Sequence, residues 1–436
     1  MPQKKFIEIN DLQIIKNNSL LFRLTFSRNI RKYFSSNHFY IKYDKNIKNV
    51  GKEILNIPAI TSIITVAWAL GADVYVDALD ETYLDSLNKI KNVLKKFYPH
   101  INFNNVIHVE NVISNSFSNE EYGLLFSGGV DCTFSYLKHR DKPLNLINIM
   151  GGAIPVSNKK YMMKIRNKHK DFGKKEKINI NFIESNIRNV LNEALINYVY
   201  GRYIRYEAWW TGINISLIHT SLCAPLTTEK IKYLMISSSA TGEIPLPYGC
   251  DPRIDNNISW ADVKVIHEGY EYNRQQKIKY IKKRFIMSDN IHPIFSVCNY
   301  APTISDVLNC NKCEKCSRTI VGLVLENIDP NKCGFNIDSN YFKHVKEKII
   351  KKKFANDEWI IYHWNLIKNA IPNGKKDYLY NSKDFFEWLK NYDLSRNIKK
   401  TSFGRISNLS VLYFYSKLPK NLRQSILEAY YKIYTR

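Results

Sequence analysis

Short apolar runs alternate with amphipathic segments from about residue 122 onward. Four of these runs have the length of buried strands. Helical stripes lie between them: Val130, Phe134 and Leu137 share one helix face, and Trp210, Ile213 and Leu217 mark a second, well-buried helix. Strands alternating with helices predict an α/β fold with a doubly wound, mostly parallel sheet. The strands are predicted at residues 124–126, 144–149, 178–182 and 233–236.

The regions on either side of this core differ from it. An apolar stretch (60–70) predicts a buried helix, residues 73–77 a short strand, and the pattern over 84–97 an amphipathic helix. A polar linker at 114–119 ends this N-terminal α/β unit. The last hundred or so residues are basic and aromatic, which predicts a helical module. We therefore expect three regions, at 1–118, 119–335 and 336–436.

A glycine pair follows the first strand of the core and opens a helix. Adjacent glycines let the backbone approach a polyanion, and the helix N-terminus then directs its amides at phosphate. The hydroxyl of Ser127 adds a hydrogen bond, and Asp131 can hold Mg²⁺ that shares the phosphate charge. The motif lacks the Gly-Lys-Ser/Thr ending of a Walker loop. The predicted phosphate-binding residues are Ser127, Gly128, Gly129, Val130, Asp131, Cys132, Thr133 and, at the end of the next strand, Gly151.

Three cysteines within seven residues form the second motif. Cys310, Cys313 and Cys316 follow Cys298, which we place after a strand at 295–297. Four thiolates at this spacing suit tetrahedral structural zinc, with an iron–sulfur cluster as the alternative. Nearby Lys312, Lys315 and Arg318 would offset the negative charge of such a site.

The run Ser127-Gly128-Gly129-Val130-Asp131-Cys132 resembles the Ser-Gly-Gly-x-Asp-Ser loop of PP-loop ATP pyrophosphatases. In that family the loop grips the β,γ-pyrophosphate of ATP while the α-phosphate is transferred to a substrate oxygen. Ser127 and Asp131 are then the expected catalytic residues. Cys132 stands where the family has Ser or Thr. It is either a serine-like substitute or, at a helix N-terminus that lowers thiol pKa, a reactive or sulfur-carrying cysteine.

The loop together with the cysteine spacing resembles the 7-cyano-7-deazaguanine synthase (QueC) branch over about residues 120 to 325. In that branch a carboxylate is adenylated and ammonia displaces AMP. The flanking regions are similar to those of enlarged QueC-like proteins from biosynthetic and defence gene clusters. The resemblance implies ATP, Mg²⁺ and Zn²⁺ as cofactors.

Other polar residues are candidates for contacts with the substrate. Asp251, Arg253 and Asp255 follow the fourth strand and are expected near the site, although a Pro-rich surface turn would contain the same residues. Arg274 and Lys277, placed with His267-Glu268-Gly269 on a helix, either bind phosphate or lie on a solvated face. Other residues have ordinary packing as their default interpretation: Cys223, Cys250, Cys333 and the C-terminal Tyr413, Tyr415, Tyr430, Tyr431 and Tyr434.

Composition and net charge narrow the classes of partner and the cellular location that we expect. The chain has 436 residues, 44% of them hydrophobic, and a formal net charge of +24. Such a charge suits nucleic acid, tRNA included, or nucleotides, but the lysines are scattered as in any lysine-rich protein. No apolar segment follows the N-terminus and residues 60–70 are too short to span a bilayer. We expect a cytoplasmic protein without a membrane partner, and homo-oligomerisation stays open.

These observations predict an ATP-dependent ligase or amidotransferase that forms AMP and pyrophosphate on a carboxylate or carbonyl substrate, small or macromolecular. One alternative keeps the loop and changes the acceptor, as in a tRNA-modifying or sulfur-transfer enzyme. Another is a zinc-containing subunit of a defence or nucleic-acid-binding complex that only senses nucleotide.

Overall fold

A computed structural model describes residues 4–397 apart from 153–154, 205–207, 244–246, 290, 301–306, 355–357 and 375–376, together with Leu418 and Leu422. The Tyr-rich C-terminal segment considered above lies outside the described residues. The predicted α/β class is confirmed: helices pack around one large mixed sheet in which parallel pairings outnumber antiparallel ones.

The sheet has eleven strands in the order β10-β11-β9-β6-β7-β8-β3-β2-β1-β4-β5. Their bounds are β1 Phe6–Ile15, β2 Ser19–Phe26, β3 His38–Tyr43, β4 Asp73–Asp80, β5 Ile107–Ile113, β6 Glu121–Leu125, β7 Leu144–Met150, β8 Ile180–Ser185, β9 Ile231–Ser237, β10 Ser259–Trp260 and β11 Val263–Glu268. Five of the six strands that the sequence predicts are present, within a few residues of their expected limits.

Five neighbouring strands, β11-β9-β6-β7-β8, are parallel to one another. The chain runs outward from β6 through β7 to β8, then returns to the other side of β6 with β9 and β11. The direction of winding therefore reverses between β6 and β9. In open parallel sheets this reversal creates a crevice at the carboxyl ends of the strands, where ligands bind. The Ser127–Gly129 loop follows β6 at this position.

The N-terminal strands continue the same sheet. β3 pairs antiparallel with β8, with Ile41 opposite Ser185 and Tyr43 opposite Ile183. β1, β2, β4 and β5 complete the sheet beyond β3. The sheet thus runs without interruption across residue 118, and the boundary placed there remains a prediction about folding units.

Thirteen α-helices surround the sheet in the described part of the chain. They are α1 Lys52–Leu70, α2 Glu81–Phe97, α3 Val130–His139, α4 Lys159–Glu176, α5 Glu193–Tyr200, α6 Ile215–Ser221, α7 Ala224–Thr227, α8 Pro252–Asp255, α9 Arg274–Ile281, α10 Glu314–Leu325, α11 Tyr341–Ile350, α12 Glu358–Asn369 and α13 Lys383–Asn391. A π-helical segment, Trp210–Asn214, leads into α6. Helices α11 to α13 agree with the helical character expected after residue 335.

The hydrophobic core forms two large layers on opposite faces of the sheet. Along β9, Leu234 and Ile236 belong to one layer and the intervening Met235 to the other, as strand alternation requires. The first layer contains α1 and α6, while the second contains α3, α9, α10 and α11 to α13. The C-terminal helices therefore share a core with the loop helix α3.

The apolar helix α1 lies inside the protein. Among the described residues, one helix is long and apolar enough to cross a membrane, Lys52–Leu70. Inside the protein, however, 94% of its most apolar 18-residue stretch is buried. Burial on all sides explains why it shows almost no amphipathic pattern. This is the environment of a core helix.

Two predictions of secondary structure are wrong. Residues 295–297 form no strand, because their backbone bonds go to loops: Ser296 N donates to Gly128 O and Val297 N to the side chain of Asn309. His267 and Glu268 lie on strand β11 and not on a helix, whereas Arg274 and Lys277 do lie on α9. β11 has Lys264, His267 and Glu268 among its six residues and so lacks the continuous apolar run that is typical of a buried parallel strand.

Candidate active site

The loop between β6 and α3 lies at the wall of a cavity of about 350 Å³. β6 ends at Leu125 and α3 begins at Val130, so the helix N-terminus is directed toward this space. Ser127, Gly129, Val130, Asp131 and Cys132 line the cavity. The volume lies within the range of small-molecule sites.

The physical reason for glycine differs between the two positions of the loop. Gly128 has a φ of +74°, and a Cβ there would come within 2.4 Å of Lys168 Nζ. A Cβ on Gly129 would instead have no protein atom closer than 3.5 Å. The protein's own packing therefore requires glycine at position 128 but not at 129, which faces the cavity and leaves room for a ligand to approach the backbone.

Asp131 is bound to two cations of helix α9. Its Oδ2 accepts a hydrogen bond from Arg274 Nη1 at 2.9 Å, and its Oδ1 lies 3.6 Å from Lys277 Nζ. Burial alone would raise the pKa of this carboxyl, but Arg274 and Lys277 outweigh it and hold that pKa below its usual value. Asp131 is therefore a carboxylate at neutral pH.

Helix α10 adds two further cations to the same cluster. Lys315 lines the cavity, and Arg318 is 7% exposed. Both help to lower the pKa of Asp131. Two nitrogens of Arg318, Nε and Nη1, have no hydrogen-bond partner although they are buried, and neither does Nε of Arg274. Four cations thus surround the carboxylates of Asp131 and Glu314, and this excess of positive charge matches an anionic ligand.

A fifth cation lies beside the first glycine of the loop. Lys168 of α4 donates from Nζ to Ser296 Oγ at 2.6 Å, close to Gly128. Burial lowers the pKa of Lys168 to about 7. Ser296 lines the cavity and its backbone N–H donates to Gly128 O, which fixes the segment before Cys298 against the loop.

Cys132 is packed as a small hydrophobic residue. Its Sγ contacts Gly129 O at 3.3 Å and Ser127 Oγ at 3.6 Å. Burial raises the pKa of the Cys132 thiol despite its place at a helix N-terminus. Of the two interpretations of Cys132, the raised pKa and these contacts favour the serine-like substitute over the reactive thiol.

The four predicted cysteine ligands come together. The sulfur atoms of Cys298, Cys310, Cys313 and Cys316 all lie within 4.8 Å of one another, so the cluster could hold a metal ion such as zinc. Three backbone amides point at these sulfurs, from Tyr300, Cys313 and Cys316, at 3.3–3.4 Å. The side chain of Cys313 also caps α10. The cluster thereby sets where the helix that carries Lys315 and Arg318 begins.

The C-terminal helices hold this arrangement in place. Tyr341 of α11 donates to Asn311 O at 2.8 Å, and Trp364 of α12 donates to Glu314 Oε1 at 3.1 Å. Also on α12, His363 is buried beside the cationic cluster with no hydrogen bond to either ring nitrogen, while Tyr362 contacts Thr241 after β9. Helices α11 and α12 of the basic C-terminal region therefore pack against the site next to α10.

Several predicted site residues lie away from the cavity wall. Thr133 bonds back to Gly129 O at 2.7 Å. A Cβ on Gly151 would collide with Ser185 O, so packing alone accounts for that glycine. Asp251 caps α8 and pairs with Arg253 at 2.7 Å. Asp255 is fully buried against His267. The neighbouring Cys250 does line the cavity.

Some residues of the site could not be identified as such from the sequence. Lys168 lies mid-helix in a lysine-rich segment, and Lys315 and Arg318 were assigned only to the metal cluster. Ser296 and Tyr362 belong to no motif. The single available signal was the recurrence of cations at spacings of three on α9 and on α10, each placing two charges on one helix face.

Comparisons with known proteins identify no relative. No family model matches the chain, and neither a curated protein nor a solved structure is significantly similar to it. The interpretation of the site therefore depends on its own geometry.

Proposed function

We propose that the protein binds ATP at the Ser127–Cys132 loop and cleaves it to AMP and pyrophosphate while activating a carboxylate or carbonyl oxygen of a second substrate. The observation that carries this proposal is the cationic cluster around Asp131. Cations at buried positions with unpaired donors are costly unless an anion joins them. A polyphosphate beside a helix N-terminus provides that anion.

The loop and the cations would contact different parts of the bound ATP. Gly129 lets a phosphate approach the N-terminal amides of α3, while Lys168 and Ser127 reach it with their side chains. Arg274 and Lys315 line the cavity and would neutralise charge on the transferred phosphate and the leaving pyrophosphate. Asp131, with Oδ1 buried and lacking a hydrogen bond, would hold Mg²⁺ together with phosphate oxygens; when bound, the ion shares the pyrophosphate charge.

The proposed reaction balances in two steps. The substrate oxygen attacks the α-phosphorus, and the bond to the bridging oxygen breaks with its electron pair leaving on pyrophosphate. A nitrogen nucleophile then attacks the activated carbon, AMP departs, and the nitrogen releases a proton. Adenylation serves the second step, because AMP is a far better leaving group than the oxide of a free carboxylate.

Product analysis tests this proposal. The full chain would be incubated with ATP, Mg²⁺, ammonium and a panel of carboxylates, and nucleotides separated by chromatography. We expect AMP and pyrophosphate with at least one acceptor, and little product from Asp131→Asn. Formation of ADP and phosphate instead would contradict the proposal, as would failure of ATP to raise the thermal stability of the protein.

The two alternative functions predict different results in the same assay. A sulfur-transfer enzyme that relays sulfur through Cys132 would lose activity in Cys132→Ser, whereas its raised thiol pKa favours retention. A nucleotide-sensing subunit would bind ATP and turn over none of it with any acceptor. Co-purifying RNA whose binding weakens steeply with salt would favour a tRNA substrate.

A further inference from the structure

Cys250, which lines the cavity, belongs to a second group of potential metal ligands. Asp255 Oδ2 accepts a hydrogen bond from His267 Nδ1 at 2.7 Å and lies 3.4 Å from Cys250 Sγ. One ligand atom from each of the three residues lies within 4.8 Å of the other two. No spacing pattern marks this group along the chain, because Cys250 precedes α8, Asp255 ends it and His267 lies on β11.

The burial of this group is hard to explain without a ligand. The side chains of Asp255 and His267 are both 0% exposed. Each also has a second polar atom, Asp255 Oδ1 and His267 Nε2, that is buried and has no hydrogen-bond partner. A carboxylate in such a place needs a compensating positive charge. A thiolate and a carboxylate together would match the two charges of a divalent cation.

We propose that Cys250, Asp255 and His267 bind a divalent transition metal of the zinc class, separate from the four-cysteine cluster. One sulfur, one nitrogen and one oxygen ligand suit zinc better than Mg²⁺ or Ca²⁺, which take oxygen ligands. Three protein ligands leave the fourth tetrahedral position open, which is the arrangement of catalytic and not of structural zinc sites.

The three ligand atoms would need to move only slightly to bind a tetrahedral zinc ion. Tetrahedral zinc with bonds of about 2.0–2.3 Å keeps its ligand atoms roughly 3.3–3.6 Å apart. With Asp255 Oδ2 and His267 Nδ1 as ligand atoms, the separation of Oδ2 from Cys250 Sγ already meets this. The hydrogen bond between Nδ1 and Oδ2 would give way to the ion, and these two atoms would move apart by about half an ångström. Because Cys250 lines the cavity, the open position is available to a ligand in it. The site does not depend on ATP chemistry and can be tested without it.

Metal content of the full, untagged chain tests the proposal. After equilibration with zinc and removal of unbound metal, we expect about two zinc ions per chain, one from each cluster. Zinc X-ray absorption of the wild-type protein should then show a mixed shell of sulfur with nitrogen or oxygen. About one zinc per chain with a shell of sulfur alone would overturn the proposal.

Variants of the proposed ligands test whether the second zinc ion is bound at this site. Cys250→Ala and His267→Gln should each lower the content to about one zinc and leave an all-sulfur shell. Cys223→Ala serves as the matched control, since it removes another buried thiol outside both clusters and should retain both ions. Unchanged zinc content in Cys250→Ala and His267→Gln would contradict the assignment. If these variants fail to fold, the wild-type absorption spectrum still decides between the outcomes.

Discussion

Arg274 Nη1 donates a hydrogen bond to Asp131 Oδ2 at 2.9 Å and joins two residues 143 positions apart in the chain. The contact links the first turn of α3 to the first turn of α9. It holds the loop carboxylate in its ionised form before any ligand binds. The same guanidinium also donates to Thr319 of α10 at 3.1 Å, so the loop, α9 and the metal-cluster helix are connected at one point.

Arg318→Met tests the excess of positive charge. Arg318 Nε lies 3.6 Å from Glu314 Oε1, and neither Nε nor Nη1 has a hydrogen bond. Its removal costs the ion pair with Glu314 but relieves repulsion among the four cations, so we expect a small change in the stability of the unliganded protein. It should weaken ATP binding by about 10-fold or more, as loss of a charge-assisted contact predicts. Thermal unfolding with and without ATP measures both effects. Arg166→Met, at the surface pair with Asp44, is the control and should change neither; an equal loss of ATP affinity there would contradict the assignment.

The two loop glycines should respond differently to alanine. Gly128→Ala should destabilise the fold by about 1–2 kcal/mol, since it places a side chain at positive φ. Gly129→Ala should leave the free energy of unfolding nearly unchanged, because no protein atom lies within 3.4 Å of the new Cβ. It should nevertheless abolish ATP binding by occupying the phosphate's position. Denaturant unfolding and isothermal titration with ATP separate these effects. Normal ATP binding by Gly129→Ala would exclude the loop as the phosphate site.

Lys168 should make ATP binding depend on pH. With a pKa near 7 in the free protein, it loses its proton as pH rises through 7 and then offers phosphate no charge. ATP affinity of the wild type should fall between pH 6 and pH 8, and Lys168→Met should flatten that dependence. Titrations at several pH values measure it, with Lys160→Met, an exposed lysine of the same helix, as the control.

The lowered pKa of Lys168 also makes the free energy of unfolding depend on pH. Between pH 7 and the ordinary lysine pKa, the unfolded chain binds a proton at Lys168 that the folded protein does not. The contribution of this group to the free energy of unfolding therefore rises with pH across that window. Lys168→Met should remove that rise, which urea unfolding at pH 7 and pH 9 can detect. A steeper rise in the variant would contradict a depressed lysine pKa.

Disrupting the four-cysteine cluster should weaken nucleotide binding as well as stability. Cys313 both belongs to the cluster and caps α10, the helix that carries Lys315 and Arg318. Cys310→Ser should lower the melting temperature, because structural zinc contributes directly to folding. It should also reduce the stabilisation by ATP at a temperature where the variant is folded. Cys333→Ser, outside the cluster, should change the stabilisation by ATP little.

The sequence determined the elements that local pattern can specify. Short apolar runs bounded by polar residues identified β4 and β6 to β9, and adjacent glycines between strand and helix identified the loop. Cysteine spacing identified the four residues whose sulfurs meet in a cluster that could hold a metal, since three of them lie within one turn and the start of a helix. These features depend on neighbours in the chain, so they can be inferred without knowledge of distant contacts.

Only the tertiary structure decided which distant residues meet. β3 pairs with β8, and Lys168, Arg274 and Arg318 converge on one loop from three helices. Cys250, Asp255 and His267 also meet only through folding. Apart from the spacing of three between Arg274 and Lys277 and between Lys315 and Arg318, these residues show no pattern, because a polar residue on a solvated face and one directed into a site look alike in sequence. What distinguishes them is burial against other elements, which shifts their pKa values and leaves their polar atoms without partners, and burial is set by the packing of the whole sheet.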